Sequence, residues 1–278
     1  MSRLGEIENS IRGQPPYRAQ GCGLPLGMAG KSAIEWTEVT WNPVTGCDRT
    51  SPGCDNCYAQ TLARRLKAMG NRRYQNDGDP KTSGPGFGLS LHTDLLEVPD
   101  RWRKPRTVFV NSMSDLFHPS VPVNFIESVF HTMQRNPQHT FQVLTKRSKR
   151  LCELAPSLIW SSNVWMGVSV ESDAYTFRAK HLREAKGPTV RFLSVEPMLS
   201  PVPSLNLEGI DWVICGGESG HGHRPIEKEW VEQLRDNCVA SDVPFFFKQW
   251  GGRTPKAGGR ELDGQIWDQT PQLAAVAG

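Results

Sequence analysis

Three cysteines close together form the part of this sequence most suited to chemistry. Cys47, Cys54 and Cys57 follow the spacing C-x6-C-x2-C in the segment CDRTSPGCDNC. The Ser-Pro-Gly at 51–53 favours a turn that folds the segment back, so the three sulfur atoms could converge. Thiolates are strong metal ligands, and a metal site needs the chain to bring them together. The motif therefore predicts a metal centre on this segment.

Three kinds of site are compatible with this spacing. A structural zinc ion takes four ligands, so one would have to come from Cys215 or from a histidine such as His92 or His118. A redox-active dithiol would use only Cys54 and Cys57 and would leave the first cysteine without a role. An iron–sulfur cluster held by three cysteines accounts for all of them, because its fourth iron stays open for another ligand. Four further cysteines occur singly, and we expect them to be small buried apolar residues: Cys22, Cys152, Cys215 and Cys238.

Other polar residues at predicted strand ends are candidates for catalysis. Asp115 and His118 flank an apolar pair in SDLFHP and could act as an acid–base couple. Glu218 follows two glycines, which allow a backbone to approach a ligand closely. Lys248 ends the last predicted strand, where its ammonium could face a phosphate. Each could instead be an ordinary polar residue at a strand end, and Asp115 could cap the turn before Pro119.

The composition is that of a globular protein with one or two domains. The chain has 278 residues, of which 37% are hydrophobic and 22% charged, and its net charge is +3. These values exclude a wholly disordered chain and a protein built around a charged tail. No run of about 18 apolar residues is present, and the N-terminus lacks the apolar core of a secretory signal. We therefore expect a cytoplasmic protein outside the membrane, in which 7 cysteines do not form a disulfide framework.

An α/β fold must position the residues that could do chemistry. Short β-branched or aromatic runs alternate with amphipathic patterns, which is typical of a parallel sheet covered by helices. The predicted strands are 39–44, 88–92, 107–111, 140–144, 164–168, 189–195, 211–215 and 244–248. The predicted helices are 55–69, 123–135, 146–154, 173–184 and 227–239. Eight strands predict a (β/α) barrel, TIM-like and full or partial, with an open doubly wound sheet as the alternative.

The barrel prediction also divides the chain. Barrel enzymes carry their reacting groups on loops after the carboxyl ends of the strands, so the polar residues named above should meet there. Residues 197–210 hold too much proline for a helix, which argues against a full barrel. The three-cysteine barrel domain should span residues 31–253. Residues 1–30 should form a flexible N-terminal extension and residues 254–278 an irregular C-terminal tail, because neither has helical or strand periodicity.

Eight phrases of the sequence resemble a bacteriophage-associated family of three-cysteine proteins of unassigned function. They occur in collinear order and are IEWTEVTWNPVTGC, SPGCDNCYA, VFVNSMSDLFH, LTKR, GVSVE, FLSVEPML, WVICGGESG and FFFKQWGG. The three cysteines on the first βα loop also resemble those of the radical S-adenosylmethionine enzymes. That superfamily commonly has C-x3-C-x2-C with an aromatic residue before the last cysteine. Here the first gap is six residues, Asn56 precedes Cys57, and Tyr58 follows it.

The resemblance implies a [4Fe–4S] cluster on Cys47, Cys54 and Cys57, with S-adenosylmethionine chelating the open iron. Its reductive cleavage would give a 5′-deoxyadenosyl radical that abstracts hydrogen from a substrate. Four side chains at predicted strand ends suit the polar groups of this cofactor: Lys146, Ser169, Glu171 and Glu196. Lys146, or Arg147 beside it, would donate to the carboxylate unless both belong to a solvated basic face.

The resemblance therefore predicts a radical S-adenosylmethionine-type enzyme. Its substrate would be a nucleotide or nucleic acid, and an electron donor would reduce the cluster. A separately encoded partner protein with its own three-cysteine motif is also expected. The alternative is a non-catalytic zinc- or cluster-binding module that interacts with nucleic acid or with a partner protein.

Overall fold

Strands and helices alternate through the residues that the computed structural model describes, 29–32, 34–254 and 256–271. The strands are β1 (Ala29–Lys31), β2 (Val39–Trp41), β3 (Val44–Thr45), β4 (Ser90–Leu91), β5 (Thr107–Val110), β6 (Thr140–Thr145), β7 (Val164–Ser169), β8 (Val190–Val195), β9 (Trp212–Gly216), β10 (Phe245–Gln249), β11 (Glu261–Leu262) and β12 (Gln265–Ile266). The α-helices are α1 (Tyr58–Ala68), α2 (Val123–Arg135), α3 (Ser148–Leu154), α4 (Phe177–Glu184) and α5 (Lys228–Ala240).

One sheet contains eight of the strands, in the order β1, β2, β5, β6, β7, β8, β9, β10. From β2 to β10 every neighbouring pair is parallel, and the order across the sheet follows the order in the chain. A sequential order belongs to the barrel type of fold, whereas a doubly wound sheet reverses its order at a switch point. The fold is therefore α/β with a curled sheet of seven parallel strands, a partial TIM-like barrel.

Antiparallel segments cover both edges of this parallel sheet. β1 pairs with β2, with Gly30 opposite Thr40. At the other edge, the amide of Phe247 in β10 donates to the carbonyl oxygen of Trp267 at 2.8 Å. The amide of Gln269 donates to Phe245 at 3.3 Å along the same edge. An edge strand leaves backbone groups unpaired, and these segments satisfy them on both sides of an open barrel.

One of the eight predicted barrel strands lies outside the barrel, so that prediction is corrected. Of the run 88–92, only β4 is a strand, and it pairs with β3 in a separate two-stranded sheet. Its Leu91 is exposed, whereas a barrel strand is buried on both faces. The run 39–44 is also divided, because Pro43 between β2 and β3 has no amide hydrogen to donate to a sheet.

The five predicted helices are all present. The largest differences are at two amino ends, where α1 begins at Tyr58 and a 3-10 turn, Asp173–Tyr175, precedes α4. The segment 197–210 contains no helix, as expected, so β8 connects to β9 by an irregular segment. None of the helices that the structure describes is long and apolar enough to cross a membrane.

The described part of the predicted C-terminal tail packs on the sheet. β11 and β12 form a hairpin, and Leu262 in β11 is fully buried in the core. The indole of Trp212 in β9 donates to the carbonyl oxygen of Gln269 at 2.8 Å. These residues therefore belong to the covering of the barrel. The predicted N-terminal extension lies outside the described residues, apart from residues 29 and 30 in β1.

The sheet separates two apolar layers. Its outer face packs against the helices in the larger core cluster. At the amino ends of the strands, the inner face carries an aromatic cluster: Trp36, Phe109, Trp165, Phe192, Trp212 and Phe246. Successive side chains of a strand alternate between faces, so the inward positions nearer the carboxyl ends follow by periodicity. Six of these positions are small or polar: Gly167, Ser169, Ser194, Glu196, Gly216 and Lys248. The aromatic cluster thus closes one end of the barrel and leaves a polar layer at the other.

Removal of Trp212 should destabilise the protein through this aromatic cluster. Its ring centroid lies 5.8 Å from that of Phe192 and 6.0 Å from that of Trp165, inside the closed end of the barrel. We expect Trp212→Ala to lower the free energy of unfolding by about 3–5 kcal/mol in urea denaturation, because a large cavity remains. Met69→Ala is the control, since Met69 is 75% exposed. Equal stabilities of the two variants would contradict this account of the inner core.

Candidate functional site

The cysteine loop, residues 46–57, connects β3 to α1. It begins at Gly46, whose φ is 84°, and a Cβ there would lie 2.3 Å from the carbonyl oxygen of Gly88. Pro52–Cys54 forms a 3-10 turn, and Cys57 is the N-cap residue of α1. The three cysteines are half-buried. With so little regular structure of its own, the loop depends on neighbouring loops for its position.

Arg147, two residues after β6, holds the first cysteine. Its guanidinium donates to Cys47 Sγ at 3.4 Å and to the carbonyl oxygen of Asp48 at 3.0 Å. Asp115, which follows β5, accepts from the same guanidinium at 3.0 Å and from the Thr145 hydroxyl at 2.7 Å. The side chains of Arg147 and Asp115 are only 10% and 8% exposed. Two charges buried this deeply must stay together, so the pair fixes the place of the cysteine.

Asp48, next to the first cysteine, is a second anchor. Its carboxylate accepts from the hydroxyls of Thr82, at 2.7 Å, and Ser83, and from His118 Nε2 at 3.0 Å. The amide of Ser120 donates to His118 Nδ1 at 3.2 Å, which leaves the imidazole hydrogen on Nε2. Burial lowers the pKa of His118, so the imidazole is neutral near pH 7 and donates to Asp48.

Glu218 and Arg224, in the connection between β9 and α5, hold the middle of the cysteine loop. Arg224 donates to the carbonyl oxygen of Pro52 at 2.9 Å and to the carboxylate of Glu218 at 2.6 Å. Asn56 donates to the same carboxylate at 2.8 Å and to the carbonyl oxygen of Gly222 at 2.9 Å. Burial opposes the ionisation of Glu218, but Arg224 and Asn56 hold its pKa below the ordinary value. Glu218 is therefore an ionised acceptor for the hydrogen bonds from Arg224 and Asn56.

Glu171, two residues after β7, lies against the cysteine loop at Gly53. A Cβ at this glycine would lie 3.2 Å from Glu171 Cδ, which is tighter than ordinary contact. Glu171 is fully buried and forms an ion pair with Arg178 at 2.7 Å, and Arg178 also donates to the carbonyl oxygen of Ser169. The other carboxylate oxygen, Oε1, has no hydrogen-bond partner among the described residues. Such an oxygen costs free energy, which makes it a candidate contact for a bound group.

The polar layer inside the barrel contains a second ion pair. Lys248 Nζ lies 2.9 Å from Glu196 Oε1, and the Ser194 hydroxyl donates to Glu196 Oε2 at 3.2 Å. A Cβ at Gly216 would lie 2.9 Å from Glu196 Oε1, so the glycine leaves room for this carboxylate. Ser169 is the neighbour of Ser194 in strand register and is also buried. The layer therefore presents hydroxyls, a carboxylate and an ammonium above the aromatic cluster.

Lys146 supplies positive charge to the second and third cysteines. Its ammonium has no hydrogen bond or ion pair within the described part of the chain. Burial raises the pKa of Cys54, but Lys146 and local hydrogen bonds outweigh it, so the pKa is lowered. Burial raises the pKa of Cys57, and burial together with Asp115 raises that of Cys47 to about 12. Cys54 is thus the thiol that the protein itself favours as a thiolate.

The residues predicted from the sequence lie in two groups at the carboxyl ends of the strands. The first group forms or surrounds the cysteine loop: Cys47, Cys54, Cys57, Asp115, His118, Lys146, Glu171 and Glu218. The second lies on the inner face of the sheet: Ser169, Glu196 and Lys248. Asp115 and His118 are not joined as a hydrogen-bonded couple, because one binds Arg147 and the other binds Asp48.

The side chains considered as a fourth zinc ligand have other partners. Cys215 is fully buried in the outer core and donates to Met198 Sδ at 3.7 Å. His92 is hydrogen-bonded to Thr45 Oγ1 at 2.8 Å, and His118 is held as described above. Within the ranges that the structure describes, no three His, Cys, Asp or Glu side chains are grouped to hold a single metal ion.

Three charged residues hold the site through partners that the sequence does not indicate: Asp48, Arg178 and Arg224. Arg224 is 172 residues away from Pro52, and no spacing in the sequence pairs two such positions. Arg147 was considered only as a donor to a cofactor carboxylate. The only indication in the sequence was a charged side chain in a glycine-rich segment, as in SGHGHRP. Such a pattern does not identify the residue that the side chain binds.

The fold is similar to solved structures of spore photoproduct lyase. A cysteine-to-alanine mutant with dinucleoside spore photoproduct has a TM-score of 0.45 and 12% identity, over 75% of this chain and 62% of that chain. A tyrosine-to-phenylalanine mutant has a TM-score of 0.44 and 11% identity, over 75% and 63%. The enzyme complexed with dinucleoside spore photoproduct gives 0.43 and 13%, over 77% and 65%. The present chain thus spans less than two thirds of the length of these proteins.

The sequence itself has a family match. No curated protein matches it. A family described as a protein of unknown function, DUF5131, matches residues 31–271. The matched range contains the cysteine loop, the seven parallel strands and the five helices. Because the match extends over most of the chain, the protein belongs to the DUF5131 family.

Proposed function

We propose that this protein is a radical S-adenosylmethionine-type enzyme whose Cys47, Cys54 and Cys57 hold a [4Fe–4S] cluster. The observation that carries the proposal is the cysteine loop itself. Three thiols lie on one loop at the carboxyl-end face of a partial barrel, and charged side chains from three other βα connections hold that loop. The histidines and the cysteine that could have completed a zinc site have other partners.

The donor set fits such a cluster. A structural zinc site requires four protein ligands, whereas a [4Fe–4S] cluster bound by three thiolates keeps one iron open. When bound together with S-adenosylmethionine, the cluster would supply the electron for reductive cleavage of that cofactor. Lys146 and Arg147 place two positive charges beside the thiols, which reduces the repulsion among three thiolates.

The chain has two groups available for the polar parts of the cofactor. Lys146 Nζ, which has no partner among the described residues, would donate to the carboxylate. Glu171 Oε1, buried and without a donor in the same part of the chain, would accept from the ammonium or from a ribose hydroxyl. We assign Ser169 and Glu196, on the inner face nearby, to the same pocket.

The predicted catalytic residues divide into two roles in this proposal. Asp115, His118 and Glu218 are positioning residues, because each binds the cysteine loop or a residue that binds it. Lys248 is the group that would face the substrate, since it lies on the inner face with Glu196 as its counter-ion. The Glu196–Lys248 pair would keep the ammonium charged and oriented towards the open end of the barrel.

The substrate class in this proposal is a nucleotide or nucleic acid. Its support is the excess of basic residues, 32 against 29 acidic ones, and Lys146 at the face of the site, whose ammonium is unpaired among the described residues. The reaction would also need a cytoplasmic electron donor to reduce the cluster. The three-cysteine partner protein expected from the sequence remains part of the proposal.

Each of the three loop cysteines should be required for the metal. Cys47→Ala, Cys54→Ala and Cys57→Ala should each lose the iron and sulfide of anaerobically reconstituted protein, because three ligands leave none to spare. Cys152→Ala is the matched control, since this half-buried cysteine belongs to α3 and not to the loop. Iron, sulfide and zinc analysis provides the measurement. Full iron content in any loop variant, or stoichiometric zinc in the wild-type protein, would favour the zinc-binding module instead.

Loss of the Lys146 ammonium should weaken cofactor binding and leave the cluster intact. One charge-assisted hydrogen bond contributes about 1.5–3 kcal/mol, so Lys146→Ala should bind S-adenosylmethionine about ten- to a hundred-fold less tightly in calorimetry. Lys149→Ala is the control, because the Lys149 side chain is 83% exposed. If the two lysine variants bind equally well with full iron content, Lys146 belongs to a solvated basic face.

Nucleic acid should bind in a salt-dependent manner if the substrate class is correct. We expect a fluorescently labelled single-stranded oligonucleotide to bind the reconstituted protein, with affinity that falls between about 50 and 200 mM salt as phosphate contacts are screened. Fluorescence anisotropy measures this directly. An affinity that is independent of salt, or no binding at all, would remove nucleic acid from the proposal and leave the cluster assignment unaffected.

A further inference from the structure

The guanidinium of Arg147 joins Asp115 to Cys47 inside the site. It donates to the carboxylate at 3.0 Å and to the thiol sulfur at 3.4 Å, and its second nitrogen donates to the carbonyl oxygen of Asp48. The backbone amide of Lys146, the residue before Arg147, donates to the same carboxylate at 3.1 Å. Arg147 therefore has little freedom to turn away from the sulfur.

We propose that Arg147, held by Asp115, is a positioning residue that raises the reduction potential of a cluster bound through Cys47. The inference rests on the proposed function, because it requires a cluster on this cysteine. It goes further because it assigns different cationic neighbours to the cysteine ligands. Among the contacts of the described residues, Cys47 accepts a hydrogen bond from a buried guanidinium, and Cys54 is near the ammonium of Lys146.

The physical argument concerns charge. Reduction adds one electron to the cluster and its thiolates, and no bond is formed or broken and no proton is moved. A cation that donates a hydrogen bond to a ligand sulfur stabilises the more negative state and so raises the potential. Both Arg147 and Asp115 are about nine-tenths buried, so water screens these charges weakly. Asp115 acts in the opposite sense, because it adds a negative charge next to the guanidinium.

Two substitutions should therefore shift the potential in opposite directions. Arg147→Met removes the cation and the donor, and Asp115→Asn removes the anion while keeping an oxygen that can accept from Arg147. At the wild-type midpoint potential, we expect the ratio of reduced to oxidised cluster to fall about tenfold in Arg147→Met. That ratio corresponds to a midpoint lowered by about 59 mV for one electron. The midpoint of Asp115→Asn should be raised.

The measurement is a potentiometric titration of reconstituted protein with a chemical reductant, followed by electron paramagnetic resonance of the reduced cluster. Lys149→Met is the matched control, because it removes a cation from the same helix region at an exposed position, where it pairs with Glu153. Its midpoint should equal that of the wild-type protein. A purely structural role for Arg147 would lower cluster content without opposite shifts in the two variants.

The outcomes separate this inference from the proposed function. If the wild-type protein assembles no cluster, the proposed function fails. If it does, and Arg147→Met and Asp115→Asn have the wild-type midpoint or move in the same direction, the inference is overturned. If Arg147→Met cannot retain iron, Arg147→Gln replaces it, since it keeps an N–H donor on a shorter, uncharged side chain. A wild-type midpoint in that variant likewise overturns the inference.

Discussion

A parallel sheet in sequential order brings the carboxyl end of every strand to the same face, and the candidate site depends on that constraint. The loops after β5, β6, β7 and β9 deliver Asp115, Arg147, Glu171 and Glu218 to one place. The cysteine loop lies among them with a single 3-10 turn of its own. Its position is therefore a property of the whole sheet, since no local element would hold three thiols at that end of the barrel.

The anchors of the loop are mostly buried or half-buried charges, which are an expensive way to stabilise a protein. An ion pair such as Glu171–Arg178 or Asp115–Arg147 loses hydration on burial. A protein in which apolar residues of similar volume replace such a pair is often no less stable. What a buried pair provides is a defined geometry, because separating its members leaves an uncompensated charge. The aromatic cluster at the other end of the barrel supplies apolar burial that such pairs do not.

Charge is also distributed unevenly among the three thiols. Arg147 donates to Cys47, whose pKa is nevertheless raised by burial and Asp115. Lys146 lowers the pKa of Cys54, and burial raises that of Cys57. The three thiols therefore have different electrostatic surroundings.

Most of the helices and strands, and the three-cysteine motif, could be predicted from the sequence. The three-cysteine motif can be recognised because its residues are close together in the sequence. The five helices and seven parallel strands follow from side-chain periodicity. Tertiary structure alone decided that β4 stays outside the barrel and that residues 267–269 cover the edge of β10. It also decided that Asp115 binds Arg147, that His118 binds Asp48, and that Arg224 reaches Pro52. These partners are 32, 70 and 172 residues apart, and such pairing depends on the folded arrangement of the loops, which periodicity and spacing do not encode.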